Sequence, residues 1–148
     1  MSVSDLIAAQ LPYLRRYARA LTGSQQSGDA YVRATLEAAL ADRALRDEIA
    51  SSRAAFYRAF TRIWASGHVD QPGPTGDVGS PEQAAQERLG RIAPTHRQAL
   101  LLTTVEEFSR AETATILGVS PGDVDALVLQ AVTEIDSESA TDVLILSL

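Results

Sequence analysis

Two helix starts with a glycine turn between them fix the character of this chain: Ser109-Arg110-Ala111-Glu112, then Gly118-Val119-Ser120, then Ser120-Pro121-Gly122-Asp123. The first is a capping box, in which a serine hydroxyl meets the N–H three residues on and the glutamate returns to the cap. The second places a proline at the first helical position, where a missing N–H costs nothing. A short helix from Thr113 to Leu117, a tight turn and a longer helix through Val124, Leu127, Val128, Ala131, Val132 and Ile135 make a helix-turn-helix.

The rest of the chain reads as helix as well. Ile7, Leu11, Leu14, Ala18 and Leu21 recur at steps of four and three, one face of a helix that Gly23 stops. A second helix is expected from about Ser27 to Leu40, with Tyr31, Val32, Thr35, Leu36, Ala39 and Leu40 inward. Asp42 to Ala50 is a short polar helix or turn. Ser51-Ser52 then precede an amphipathic helix with Phe56, Phe60 and Ile63, flanked by Ala59 and Trp64. Tyr13, Tyr17, Phe56, Tyr57, Phe60 and Trp64 are read as the aromatic core of this half.

Gly67 to Ser80 lacks periodicity and reads as a linker; as a 14-residue flexible coil it spans on the order of 20 Å. Its glycines have neither the strand before nor the Lys-Ser/Thr after that a phosphate loop needs. Ser80-Pro81-Glu82-Gln83 starts a helix expected to run to about Ile92, and Pro94 opens another through Leu100, Leu101, Leu102 and Val105. Val143-Leu144-Ile145-Leu146 and Leu148 have strand character, read as the start of a further domain or a segment docked on the helices. The expected architecture is all-α: a helical domain over 1–66, a linker over 67–80, a helix-turn-helix domain over 81–136 and a tail over 137–148.

With no cysteine, disulfides and cysteine-based metal or redox sites are ruled out, a composition suited to a reducing cytoplasm. No basic stretch precedes an apolar run at the N-terminus and no apolar run nears the roughly 20 residues of a membrane span, so neither export nor insertion is expected. His68 falls in the linker and His96 on a helix, with no His-x-x-x-His or Glu-x-x-His pair. Neither enzyme chemistry nor a cofactor is expected, and His96 is read as a surface or interface histidine.

Charge is divided unevenly. Residues 1–66 carry nine Arg against six acids, whereas residues 81–148 carry four Arg against eleven acids. A contrast of this kind calls for an explanation in terms of partners.

Leu11-Pro-Tyr-Leu-Arg-Arg-Tyr-Ala-Arg-Ala-Leu-Thr-Gly23, Gly28-Asp-Ala-Tyr-Val-Arg-Ala-Thr-Leu36, Arg91-Ile-Ala-Pro-Thr-His-Arg-Gln-Ala-Leu-Leu-Leu102 and Phe108 to Val119 resemble the two conserved regions, 2 and 4, of extracytoplasmic-function sigma factors. More closely, nearly the whole chain resembles the sigma-like output domain of PhyR-type general stress response regulators. The resemblance implies partner switching. A receiver domain follows the sigma-like part, and its phosphorylation frees that part to capture a NepR-type anti-sigma factor, releasing the true sigma factor. Asp142-Val-Leu-Ile145 is similar to the first receiver strand, but the phosphoacceptor and acidic pocket do not follow, so the expectation is an ungated binder.

The residues themselves separate a mimic from a divergent DNA-binding sigma factor, the alternative. A helix in the major groove needs Arg or Lys for phosphates and Arg, Asn or Gln for base edges. Pro121 to Ile135 contains no Arg or Lys. Where sigma factors carry a Thr-Val-Lys-Ser-Arg-type run, this chain has Asp123, Val124, Asp125, Ala126 and Leu127, which forfeits counterion release. Positions that grip polymerase in the family align with Ala30, Arg33 and Ala34. Asp123 is either a helix cap or a partner contact. Leu127 and Val128 fit a core, but with Val124 and Leu129 they make a stripe wider than one small domain covers, suited to an incoming amphipathic helix. The expected partner surface is Glu106, Glu107, Phe108, Asp125, Leu127 and Val128, with Tyr31 and Arg33 across the groove, and the remaining arginines of the first half form a solvated face.

Overall fold

The computed structural model describes the backbone over residues 2–66 and 94–146, with side chains from Ser2 to Ser66 and from Thr95 to Asp136. Seven helices occupy the described residues: α1 (Val3–Thr22), α2 (Gln25–Ala41), α3 (Arg43–Ser51), α4 (Arg53–Ser66), α5 (Pro94–Thr104), α6 (Arg110–Leu117) and α7 (Pro121–Leu146). The linker over 67–80 and the helix expected after Ser80 lie outside the described residues.

Helix ends sit where side chains can satisfy the free N–H groups. Ser2 and Asp5 form a capping box on α1. Ser24 accepts from the Ser27 N–H and starts α2 slightly before the expected Ser27. Asp42 accepts from the Ala44 and Leu45 N–H groups at the head of α3, and Ser52 accepts from the Ala55 N–H in α4. The box at Ser109 and Glu112 heads α6. Ser120 and Asp123 exchange the same pair of bonds at α7, so Asp123 serves as a cap. Gly118, at φ 71°, takes the left-handed conformation that ends α6 and makes the turn.

The core is continuous across both halves. Leu14, Tyr17, Ala18 and Leu21 of α1, Tyr31, Val32 and Ala39 of α2, Ile49 of α3, and Phe56, Tyr57, Ala59 and Phe60 of α4 are buried together with Leu102, Phe108 and Ile116 of the second half. Tyr17 and Phe60 meet edge-on at 5.8 Å, as do Tyr57 and Phe108 at 4.9 Å, so aromatic packing crosses from one half to the other. Arg97 of α5, a buried guanidinium, donates to the Leu21 carbonyl in the last turn of α1. Free carbonyls there carry the negative end of the helix dipole.

Three expectations are corrected. Leu40, expected inward, is 74% exposed, because it lies in the last turn of α2, which ends at Ala41. Tyr13, expected in the core, is 48% exposed; it lies beside Arg16 and Arg53, each about 5.6 to 5.7 Å from its ring centroid. The strand expected at Val143 to Leu146 is helix, since α7 continues to Leu146 without the break that its β-favouring composition led us to expect. Local preference is a weak prior there against the propagation of an established helix.

Candidate partner-binding surface

The helix-turn-helix buries one narrow stripe of α7 and leaves the next open. Val124 and Ala131 pack fully, Leu127 and Val128 are half-buried, and Leu129 at 67% exposed heads a ridge continued by Val132 and Ile135. Thr103, Phe108, Val124, Val128, Leu129 and Val132 line an open apolar groove of about 460 Å³. An apolar trough of this length on a helix is the complement of an amphipathic helix.

Arg110 and Asp125 close one side of the groove. The guanidinium Nε lies 2.7 and 2.9 Å from the two carboxylate oxygens, and Nη2 lies 2.6 Å from Oδ2. The pair is solvent-exposed; the hydrogen bond to Arg110 holds the Asp125 carboxyl below its usual range, and the same bond raises Arg110. The first turn of α7 therefore carries a cap, Asp123, and a carboxylate neutralised by Arg110. His96 and Glu134 join α5 to α7 below it, with Nδ1 2.7 Å from Oε1.

The loop from α5 to α6 carries the other expected contacts, and the structure turns two of them inward. Glu107 is exposed with φ 57°, a left-handed conformation uncommon for a residue with a Cβ. Glu106, the residue before it, turns into the first half. Its side chain is fully buried, and Oε2 accepts from Arg16 Nη2 at 2.8 Å, Arg53 Nη2 at 2.7 Å and the Tyr57 hydroxyl at 3.1 Å. Arg53 also donates through Nη1 to the Glu106 carbonyl at 2.8 Å, and its guanidinium carbon lies 4.5 Å from the Phe108 ring centroid and 5.1 Å from that of Tyr57. The bond to Glu106 raises Arg16, while desolvation, reinforced by the Glu106 carboxylate, raises the Tyr57 hydroxyl.

Of the expected contact residues, Asp125 and Val128 line the groove with Phe108, whose ring is buried, and half-buried Leu127 lies on the same helix. Glu107 lines a separate polar cleft with Tyr13, Arg16 and Arg53. Glu106 is a bridge inside the molecule, because two arginines of the first half reach it. Tyr31 is buried against Phe60, at 6.5 Å between centroids, and Arg33 is exposed on α2. The sequence does not single out Arg53, Arg110 or Val132, whereas an exposed remainder of the α7 stripe that includes Leu129 is expected from it. Arg110 was within reach, since it stands beside a capping box and faces an acidic helix; Arg53 looked like any solvated arginine. Among the described residues, no three His, Asp or Glu side chains converge as metal ligands, and no single helix is long and apolar enough to cross a membrane.

Comparison with known proteins gives matches over both halves. The family described as the sigma2 domain of PhyR matches residues 7–61, and the response regulator PhyR sigma-like domain matches residues 89–138. The phyllosphere-induced regulator PhyR of Methylorubrum extorquens is 43% identical over 150 residues, covering 99% of this chain and 54% of that protein. This chain thus spans about half the length of that relative. Two solved complexes are similar. One is PhyR with the anti-sigma factor NepR from Bartonella quintana, at a TM-score of 0.75 and 37% identity, over 93% of this chain and 50% of that one. The other is the PhyRSL–NepR complex from Sphingomonas sp. Fr1, at a TM-score of 0.71 and 44% identity, over 93% of this chain and 88% of that one.

Proposed function

The chain belongs to the PhyR sigma-like family, and from that premise we propose that it acts as an anti-anti-sigma module: it captures a NepR-type anti-sigma factor and so releases the true sigma factor in a general stress response. The observation that carries this reading is the α7 groove, apolar along its length, rimmed by Asp125, and set on a recognition helix without a single Arg or Lys. An amphipathic helix from the partner fits such a groove, and a basic flank on that helix would meet the acidic second half. A receiver domain in the full-length regulator would gate access.

The division into a region 2-like domain over 1–66, a linker over 67–80, a region 4-like domain over 81–136 and a tail over 137–148 belongs to the same reading. So do the absence of enzymatic activity and a cytoplasmic location. The contacts are assigned to Asp125, Leu127 and Val128 in and beside the groove, to Arg33 across the groove, and to Glu107 at the cleft. Glu106, Phe108 and Tyr31 support these from inside.

Calorimetric titration of the chain with a NepR-type protein, in parallel with duplex promoter DNA at low salt, tests the reading. Tight one-to-one binding to the protein and none to DNA is expected. DNA binding with a steep salt dependence and no protein binding would make the chain a divergent sigma factor.

A further inference from the structure

We propose that Glu106 is a positioning residue that couples the docking of the two halves to the shape of the α7 groove, so that partner affinity depends on a buried contact outside that groove. The inference rests on the reading of the groove as the partner site. The donors around Glu106 form an asymmetric cage. Glu106 leaves the second half and ends wholly inside the first, with three donors from α1 and α4 on one carboxylate oxygen, Oε2. A carboxylate buried at a joint is stable only while its donors stay in place, because the unpaired charge is costly to bury.

The cage reaches the groove through two groups. Arg53 donates to both the carbonyl and the carboxylate of Glu106, and its guanidinium lies on the Phe108 ring. Phe108 is held edge-on by Tyr57 and at once lines the groove with Val124, Val128 and Val132. One ring therefore belongs to the interface of the halves and to the docking groove. If the halves separate, Phe108 loses Arg53 and Tyr57 together and is free to turn into the groove. The docked state is the binding-competent one, and apparent affinity falls by the fraction of molecules that are docked. By linkage, bound partner must favour docking by the same factor.

The chain has no cysteine, so a pair of spin labels at Gln26→Cys on α2 and Thr115→Cys on α6, both exposed, reports the distance between the halves. In this labelled background Glu106→Gln is compared with the parent by the distance distribution and by titration with a NepR-type protein. The expected result is a broadened distribution, partner affinity lower by roughly tenfold or more, and a narrow distribution restored at saturating partner. A general loss of structure would not give the last of these. A broadened distribution with unchanged affinity overturns the coupling, and an unchanged distribution overturns the role of Glu106 in docking.

Should Glu106→Gln fail to fold, Arg53→Lys keeps the charge but cannot span carbonyl and carboxylate together. It is expected to act in the same direction, and no change in either readout overturns the proposal. If the parent itself binds no NepR-type protein, the functional reading fails, and the distance measurement still decides whether Glu106 holds the halves together.

Discussion

Gly28 sits where α2 crosses α1, and a Cβ built there would fall 2.7 Å from the Arg19 nitrogen, 2.8 Å from its Cα and 2.9 Å from the Ala18 carbonyl carbon. All three are backbone atoms of a helix, so nothing can swing aside. Gly28→Ala should destabilise the fold by roughly 2–3 kcal/mol, read as a lower urea midpoint with an unchanged slope. The two arginines on Glu106 should differ in the same assay. Arg53, part-buried, bonds the carboxylate and the carbonyl, and Arg53→Ala should cost roughly 2–3 kcal/mol. Arg16 is half exposed, and Arg16→Ala should cost under about 1 kcal/mol. From the sequence Glu106 and Phe108 belong to the partner surface, whereas in the structure both are buried. Their partners, Arg16, Arg53 and Tyr57, lie at least 49 positions away, and nothing local marks an arginine that will reach a carboxylate in the other half.

Helix ends were the most legible feature, because the groups that terminate a helix are its own neighbours in sequence. The caps at Ser109 and Ser120 and the stop at Gly118 were all readable from hydroxyl, carboxylate and glycine spacing. Faces were less legible on α7, where Val124, Leu127, Val128, Leu129, Val132 and Ile135 cover too much of the circumference for periodicity to say which stripe packs. The structure gives the inner stripe to Val124 and Ala131 and leaves Leu129 out. This makes Leu129→Glu a discriminating change. At 67% exposure it should move stability by no more than about 0.5 kcal/mol. It should nevertheless weaken binding of a NepR-type protein by roughly tenfold or more, because a charge would be forced against the partner's apolar face. The same substitution at buried Val124 should unfold the helix-turn-helix, and thermal melting of both variants beside their titrations separates the two effects. Equal binding by Leu129→Glu and parent would remove the ridge from the interface.

The chain as a whole joins a basic half to an acidic half, and sequence showed the contrast but not how it is used. Part of it is spent across the joint, in Arg16 and Arg53 on Glu106, and part within each half, in Arg19 on Asp29 and Arg110 on Asp125. Two buried tyrosines beside the joint give the stability of the fold a pH dependence. Desolvation raises both Tyr17 and Tyr57 above the ordinary value of 10.0, and for Tyr57 the Glu106 carboxylate adds to the rise. In the unfolded chain both hydroxyls ionise near their usual pKa of about 10, whereas in the folded chain they keep their protons well beyond it. Below that value the two states bind the same protons and stability is fully present. Above it the native state holds more protons than the unfolded one, so stability falls as pH rises. Far-UV circular dichroism against urea should therefore show a plateau from neutral pH to about 10 and a decline beyond it. Tyr17→Phe and Tyr57→Phe together should flatten that decline relative to the parent, whatever their cost at neutral pH. An equally steep decline in the double variant would mean that other groups, not the tyrosines at the joint, open the molecule in alkali.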